Sequence, residues 1–183
     1  MKLMVASDIH GSLFYCDLML KAFEAEKADK LLLLGDILYH GPRNDLPKDY
    51  NPKAVIDRLN AMAEKIICVR GNCDTEVDQM VLNFPIMADY GLIYADGTEI
   101  YATHGHKYGE QNPPPCVKNA ILLGGHTHVP KCQEYESYTY INPGSVSIPK
   151  EDSPHSYMVF ENNTFIWKDL ETMQEYMTVS INI

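Results

Sequence analysis

Short apolar runs, each closed by a polar motif, recur along this chain of 183 residues. Lys2–Ser7 precedes Asp8-Ile9-His10, Leu31–Leu34 precedes Gly35-Asp36, and Lys65–Val69 precedes Gly71-Asn72. Further on, Glu99–Thr103 precedes His104-Gly105-His106 and Ala120–Leu123 precedes Gly125-His126-Thr127-His128. Four leucines in a row fit a helix or a strand, but their shortness and the following Gly-Asp favour a buried strand. Helical patterns separate the first three runs, over Leu13–Lys27 and Lys53–Glu64, the second with Val55, Ile56, Leu59 and Met62 on one face. Repeated strand–loop–helix units predict a parallel sheet covered by helices.

The pattern changes after Asn83. Strands are predicted at Ile86–Tyr90, Leu92–Ala95, Glu99–Thr103, Ala120–Leu123, Lys131–Tyr135, Tyr138–Ile141, Tyr157–Glu161, Thr164–Lys168 and near Tyr176–Ile181. Asp96-Gly97 and Asn162-Asn163 mark tight hairpins. An α/β half followed by a β-rich half predicts an α/β fold of two packed sheets flanked by helices, as a single domain over residues 1–183. Ligands in open sheets gather outside the carboxyl ends of strands, where every polar motif here lies.

Composition bounds the function. Fifteen basic against 25 acidic residues give a net charge of −10, which disfavours a nucleic-acid groove. Two bound dications would offset that charge locally where an anionic substrate sits. Five cysteines without CxxC spacing read as reduced thiols. No signal peptide and no membrane-length apolar run is present, so a cytoplasmic protein without membrane association is expected. A homo-oligomer is compatible with the chain.

Seven side chains are candidate metal ligands: Asp8, His10, Asp36, Asn72, His104, His126 and His128. Asp8 and His10, two apart after a strand, can point the same way and grip one ion. A helix N-cap aspartate beside an incidental histidine explains that pair equally well. Asp36 alone is a common strand-end aspartate, and Gly71-Asn72 alone is a common turn. Four of the seven histidines, however, fall in two HxH pairs after predicted strands, which sets them apart from scattered surface histidines.

Together these motifs resemble those of the calcineurin-like metallophosphoesterases: DxH, GDxxxxG, GN, H and GHxH, in family order from Met1 to about Pro149. The stretches Gly41-Pro42-Arg43-Asn44, Gly71-Asn72-Cys73-Asp74 and Asn142–Pro149 further resemble the small bacterial YfcE-type phosphodiesterases. The resemblance implies a four-layer α/β/β/α sandwich of two mixed sheets, the metallophosphatase fold. It implies one metal on Asp8, His10, Asp36 and His128, and a second on Asp36, Asn72, His104 and His126. Asp36 would bridge, and a hydroxide shared by the ions would attack phosphorus in line. Oxygen and imidazole ligands suit manganese, iron, zinc or nickel, and family habit favours manganese.

One departure carries information. Family members acting on protein phosphomonoesters read GDxxDRG and GNHE, and an Asp–His dyad protonates the leaving group. Tyr39 and Cys73 stand at those two positions. The expected substrate is therefore a small or activated phosphodiester, with His40 or solvent supplying the proton. Alternatives are a nucleotide pyrophosphohydrolase or phosphomonoesterase on the same site, and a non-catalytic scaffold of the retromer-subunit kind. His40 and Asp74 occupy an Arg–Glu pair's positions, which predicts a contact between them. Arg43 and Asn44 are candidate phosphate-binding residues, His106 a candidate orienting residue, and His155 is expected at the surface.

Overall fold

The computed structural model describes residues 1–115 and 117–181. Its strands are Leu3–Ala6 (β1), Lys30–Leu33 (β2), Ile66–Cys68 (β3), Tyr90–Ala95 (β4), Thr98–Thr103 (β5) and Ala120–Leu123 (β6). Lys131–Glu134 (β7), Tyr138–Asn142 (β8), Ser156–Glu161 (β9), Thr164–Asp169 (β10) and Glu175–Ser180 (β11) follow. The helices are Leu13–Glu26 (α1), Pro52–Asn60 (α2) and Glu76–Val81 (α3).

β1, β2 and β3 pair in parallel through crossovers containing α1 and α2. The antiparallel strands β9, β10 and β11 continue the sheet on the other side of β1, in the order β11-β10-β9-β1-β2-β3. Met4, Ala6, Leu31 and Leu33 pack with Cys16, Met19, Val55 and Leu59 of the helices. Leu3, Val5, Leu32 and Leu34 pack with Ile100, Ala102, Ile121, Leu123 and Ile141 of a second sheet. Successive strand residues point to opposite faces, so one continuous apolar run serves two cores.

The second sheet has the order β4-β5-β6-β8-β7; β5, β6 and β8 run parallel, and β4 and β7 are antiparallel edges. Trp167, buried between the sheets, donates its indole N–H to the Asn142 carbonyl at 2.7 Å. The outer face of this sheet carries a smaller cluster of Tyr101, Val117, Leu122 and Tyr140. Val117 comes from the β5–β6 connection, so among the described residues a loop lies there. The whole is a pair of packed mixed sheets with flanking helices. No helix among the described residues is long and apolar enough to cross a membrane.

Three elements differ from the sequence pattern. The strand expected at Ile86–Tyr90 is irregular up to Asp89, because the Gln79 amide replaces a ladder partner. Gln79 accepts from Ile86 N and donates to the Leu82 and Phe84 carbonyls. Helix α3 was not expected; Thr75 and Asp78 form its capping box. The second helix stops at Asn60, and a separate 3₁₀ turn covers Ala63–Lys65.

Candidate metal centre

The strand-end loops are fastened to each other before any side chain is considered. Asp8 N donates to the Gly35 carbonyl at 3.1 Å, His10 N to Asp36 at 2.9 Å and Gly125 N to His104 at 2.7 Å. At Gly71 a Cβ would lie 2.1 Å from Asp36 Oδ1, so only glycine allows the loops after β2 and β3 to touch. Asp8, His10, Asp36, His126 and His128 have φ between +48° and +66°. That left-handed region is disfavoured for residues with a Cβ, and its concentration in five of the seven candidates marks a strained, over-determined site. The cap of α1 is Ser12, so Asp8 is not an N-cap.

The side chains then converge. His10 Nε2 lies 3.6 Å from Asp8 Oδ1, 3.7 Å from Asp36 Oδ2 and 3.4 Å from His128 Nε2. His128 Nε2 is 3.3 Å from Asp8 Oδ1, and His104 Nε2 is 3.5 Å from Asp36 Oδ2 and 3.0 Å from Asn72 Oδ1. His126 packs its ring 5.1 Å from that of His104, and its backbone N–H donates to Asp8 Oδ2. Nδ1 of His10, His104 and His128 pairs with the carbonyl of Tyr39, Leu34 and Ile148, at 2.7, 2.7 and 2.6 Å. A carbonyl only accepts, so each Nδ1 carries a proton and each Nε2, the atom left to ligate a cation, faces inward. Asp8 Oδ1, fully buried, has no hydrogen-bond donor. Buried acceptors facing one another without donors fit divalent cations.

Electrostatics agree with that reading. Burial disfavours the Asp8 carboxylate, yet His10 and His128 outweigh it and hold its pKa well below the usual range. Burial likewise opposes a charge on His10, but Asp8 raises its pKa overall, so the pocket attracts positive charge. Burial, then His104, lowers the pKa of His126.

Residues around the cluster have separable roles. Asp36 Oδ1 accepts from Cys73 N at 2.8 Å, leaving Oδ2 toward His10 and His104. The Asn72 amide N–H donates to Cys73 Sγ, which turns Oδ1 toward His104. Arg43 and Asn44 line the same cavity as His10, Asp36, Asn72 and His128, together with Lys150. His106 is exposed, its ring 5.3 Å from that of His104.

Three expectations need correction. His40 is not among the residues lining this cavity: its ring packs edge-on against Tyr39 and Tyr50. Nor is Asp74 paired with His40, because its carboxylate accepts from the N–H groups of Asp36, Ile37 and Gly71. His155, expected at the surface, is half-buried and engaged: it stacks on Tyr15 at 3.8 Å and its Nδ1 pairs with the Val146 carbonyl.

Sequence reasoning missed Asp74 as a backbone clamp, and it missed Ser145 and Ser147. Both serine hydroxyls donate to the Asp8 carbonyl, at 3.0 and 3.1 Å. The Asn142–Pro149 stretch was visible, but nothing local to it showed which loop it would hold. Lys150, immediately after that stretch, was missed for the same reason.

Known proteins share this chain's sequence and fold. The model of the calcineurin-like phosphoesterase superfamily domain covers residues 1–164. The chain is 46% identical to Phosphodiesterase YfcE of Escherichia coli K12, over all of this chain and 99% of that protein. The solved structure of E. coli YfcE, described as a phosphoesterase, superposes with a TM-score of 0.95 at 46% identity, covering both chains fully. Zinc-complexed Vps29 of Entamoeba histolytica shares the fold at a TM-score of 0.63 and 20% identity over both full chains. By sequence and by fold, this chain belongs to the calcineurin-like phosphoesterase superfamily.

Proposed function

We propose that this chain hydrolyses a small phosphodiester with two divalent cations. One is held by Asp8, His10, Asp36 and His128, and the other by Asp36, Asn72, His104 and His126. The observation that carries this reading is the set of inward-facing Nε2 atoms around two buried carboxylates, with no donor for Asp8 Oδ1. When bound, such cations supply a nucleophile from water near neutral pH and absorb charge on the phosphoryl oxygens. Mixed oxygen and imidazole donors suit manganese, iron, zinc or nickel, and the family resemblance favours manganese among them.

The protein's own residues do the positioning. Arg43 and Lys150 bring positive charge to the cavity of about 440 Å³ that the cluster floors, and Asn44 keeps Arg43's loop in place by donating to the His40 carbonyl. Cys73 offers no useful acid, since burial and then the Asp36 carboxylate push its thiol pKa well up. Leaving groups that depart without an enzyme proton are therefore favoured, which fits diesters better than alkyl monoesters. The name of the E. coli relative points the same way.

The test is an assay of manganese-loaded protein on a nitrophenyl diester, the matching monoester and a nucleoside diphosphate compound. Diester turnover abolished by chelator and by Asp36→Asn is expected. Turnover that survives both would sink the two-metal reading.

A further inference from the structure

A second cavity of about 420 Å³ adjoins the metal site and has a different character. Its walls include Tyr39, Tyr50, Ile56, Val77 and Val81, with Cys73 at one end. Tyr39, Val77 and Val81 are 42%, 67% and 42% exposed, an unusual openness for large apolar side chains set around one depression. Cys73 lines this groove and the metal cavity alike, so the two spaces meet across one small side chain. Tyr39 is tied to the cluster as well, its carbonyl pairing with His10 Nδ1 at 2.7 Å.

Charge is divided between the two spaces. Arg43 and Lys150 line the metal cavity, whereas the groove lining contains no lysine, arginine or histidine. Its one carboxylate, Asp78, is engaged by Thr75 N and Oγ1 in the cap of α3. A ligand matching both spaces has an anionic head and an uncharged apolar arm.

We propose that this groove receives an aromatic or similarly apolar organic arm of the diester while its phosphoryl group lies at the metal cluster. The inference rests on the phosphodiesterase reading, and its test is independent of turnover. Titration calorimetry of manganese-loaded protein compares benzylphosphonate with methylphosphonate, which share a head and differ in the arm. Wild type is expected to bind the benzyl compound roughly tenfold more tightly. In Val77→Ser/Val81→Ser, and separately in Val77→Gln, that preference falls to about threefold or less while methylphosphonate affinity holds within about twofold.

Equal affinities in wild type, no binding of either compound, or a preference undiminished in both variants would overturn the proposal. So would a dimer, seen by sedimentation, that Val77→Ser/Val81→Ser dissociates while the preference stays intact, since a second copy would then fill the groove. Protein that prefers benzylphosphonate yet hydrolyses no diester would refute the hydrolase reading and uphold the groove.

Discussion

At Asp36 one residue meets three demands: a φ of +55°, an Oδ1 that accepts from Cys73 N, and an Oδ2 set between His10 and His104. Asparagine can keep the first two and loses the charge. Asp36→Asn should therefore fold normally by circular dichroism and lose on the order of 10³-fold or more in diester turnover. Backbone strain gives a second test that needs no activity. His10 holds a φ of +48°, so in metal-free protein His10→Gly should be more stable than His10→Ala by about 0.5–1 kcal/mol in urea unfolding. At Cys73 the raised thiol pKa leaves the side chain neutral throughout the working range. Cys73→Ser should keep diester turnover within about twofold, while Cys73→His should gain monoester turnover by restoring a titratable proton donor.

At the scale of elements, Glu26 near the end of α1 links that helix to three strands. It receives Lys168 from β10, the Tyr157 hydroxyl from β9, and Lys2 from the residue before β1. Burial favours its neutral form, but Lys168, Lys2 and Tyr157 outweigh burial and hold its pKa below the ordinary 4.5. A lowered folded-state value means that its stabilisation is fully present above about pH 4.5 and is lost as pH falls through that lowered value. Glu26→Gln should cost about 1–2 kcal/mol in urea unfolding at pH 7, and the difference should shrink toward pH 3. The elements themselves were largely legible: β1, β2, β5 and β6 followed from apolar runs, and the hairpin at Asp96-Gly97 from its turn residues. Ile86–Tyr90 misled because its apolar residues serve the helix-side core from an irregular segment, as Ile86 and Met87 do. Helix α3 is only six residues long and has no buried residue, so periodicity had nothing to register; only the Thr75–Asp78 cap marked it.

For the molecule as a whole, the site is a product of two sheets packed face to face, whose strands present their carboxyl-end loops to one another. β1, β2 and β3 lead into Asp8, His10, Asp36 and Asn72, while β5 and β6 lead into His104, His126 and His128. The seven candidates were readable because each follows a recognisable strand, and the HxH spacing repeats. Asp74, Ser145 and Ser147 were not, because the backbone atoms of the site that they hold, at Asp36, Ile37 and Asp8, lie 37 or more residues away, which no local pattern encodes. His40 is a residue type suited to proton transfer, and its ring packs against Tyr39 and Tyr50 rather than in the cavity lining, which no sequence pattern encodes. The account's central claim is that these two sheets together hold two cations through one shared carboxylate. It is tested most directly by equilibrium dialysis with manganese, counting metal per chain in wild type and in Asp36→Asn. The account predicts about two ions per wild-type chain and weakened binding of both in Asp36→Asn. One ion or none in wild type, or two held undiminished by Asp36→Asn, would contradict it.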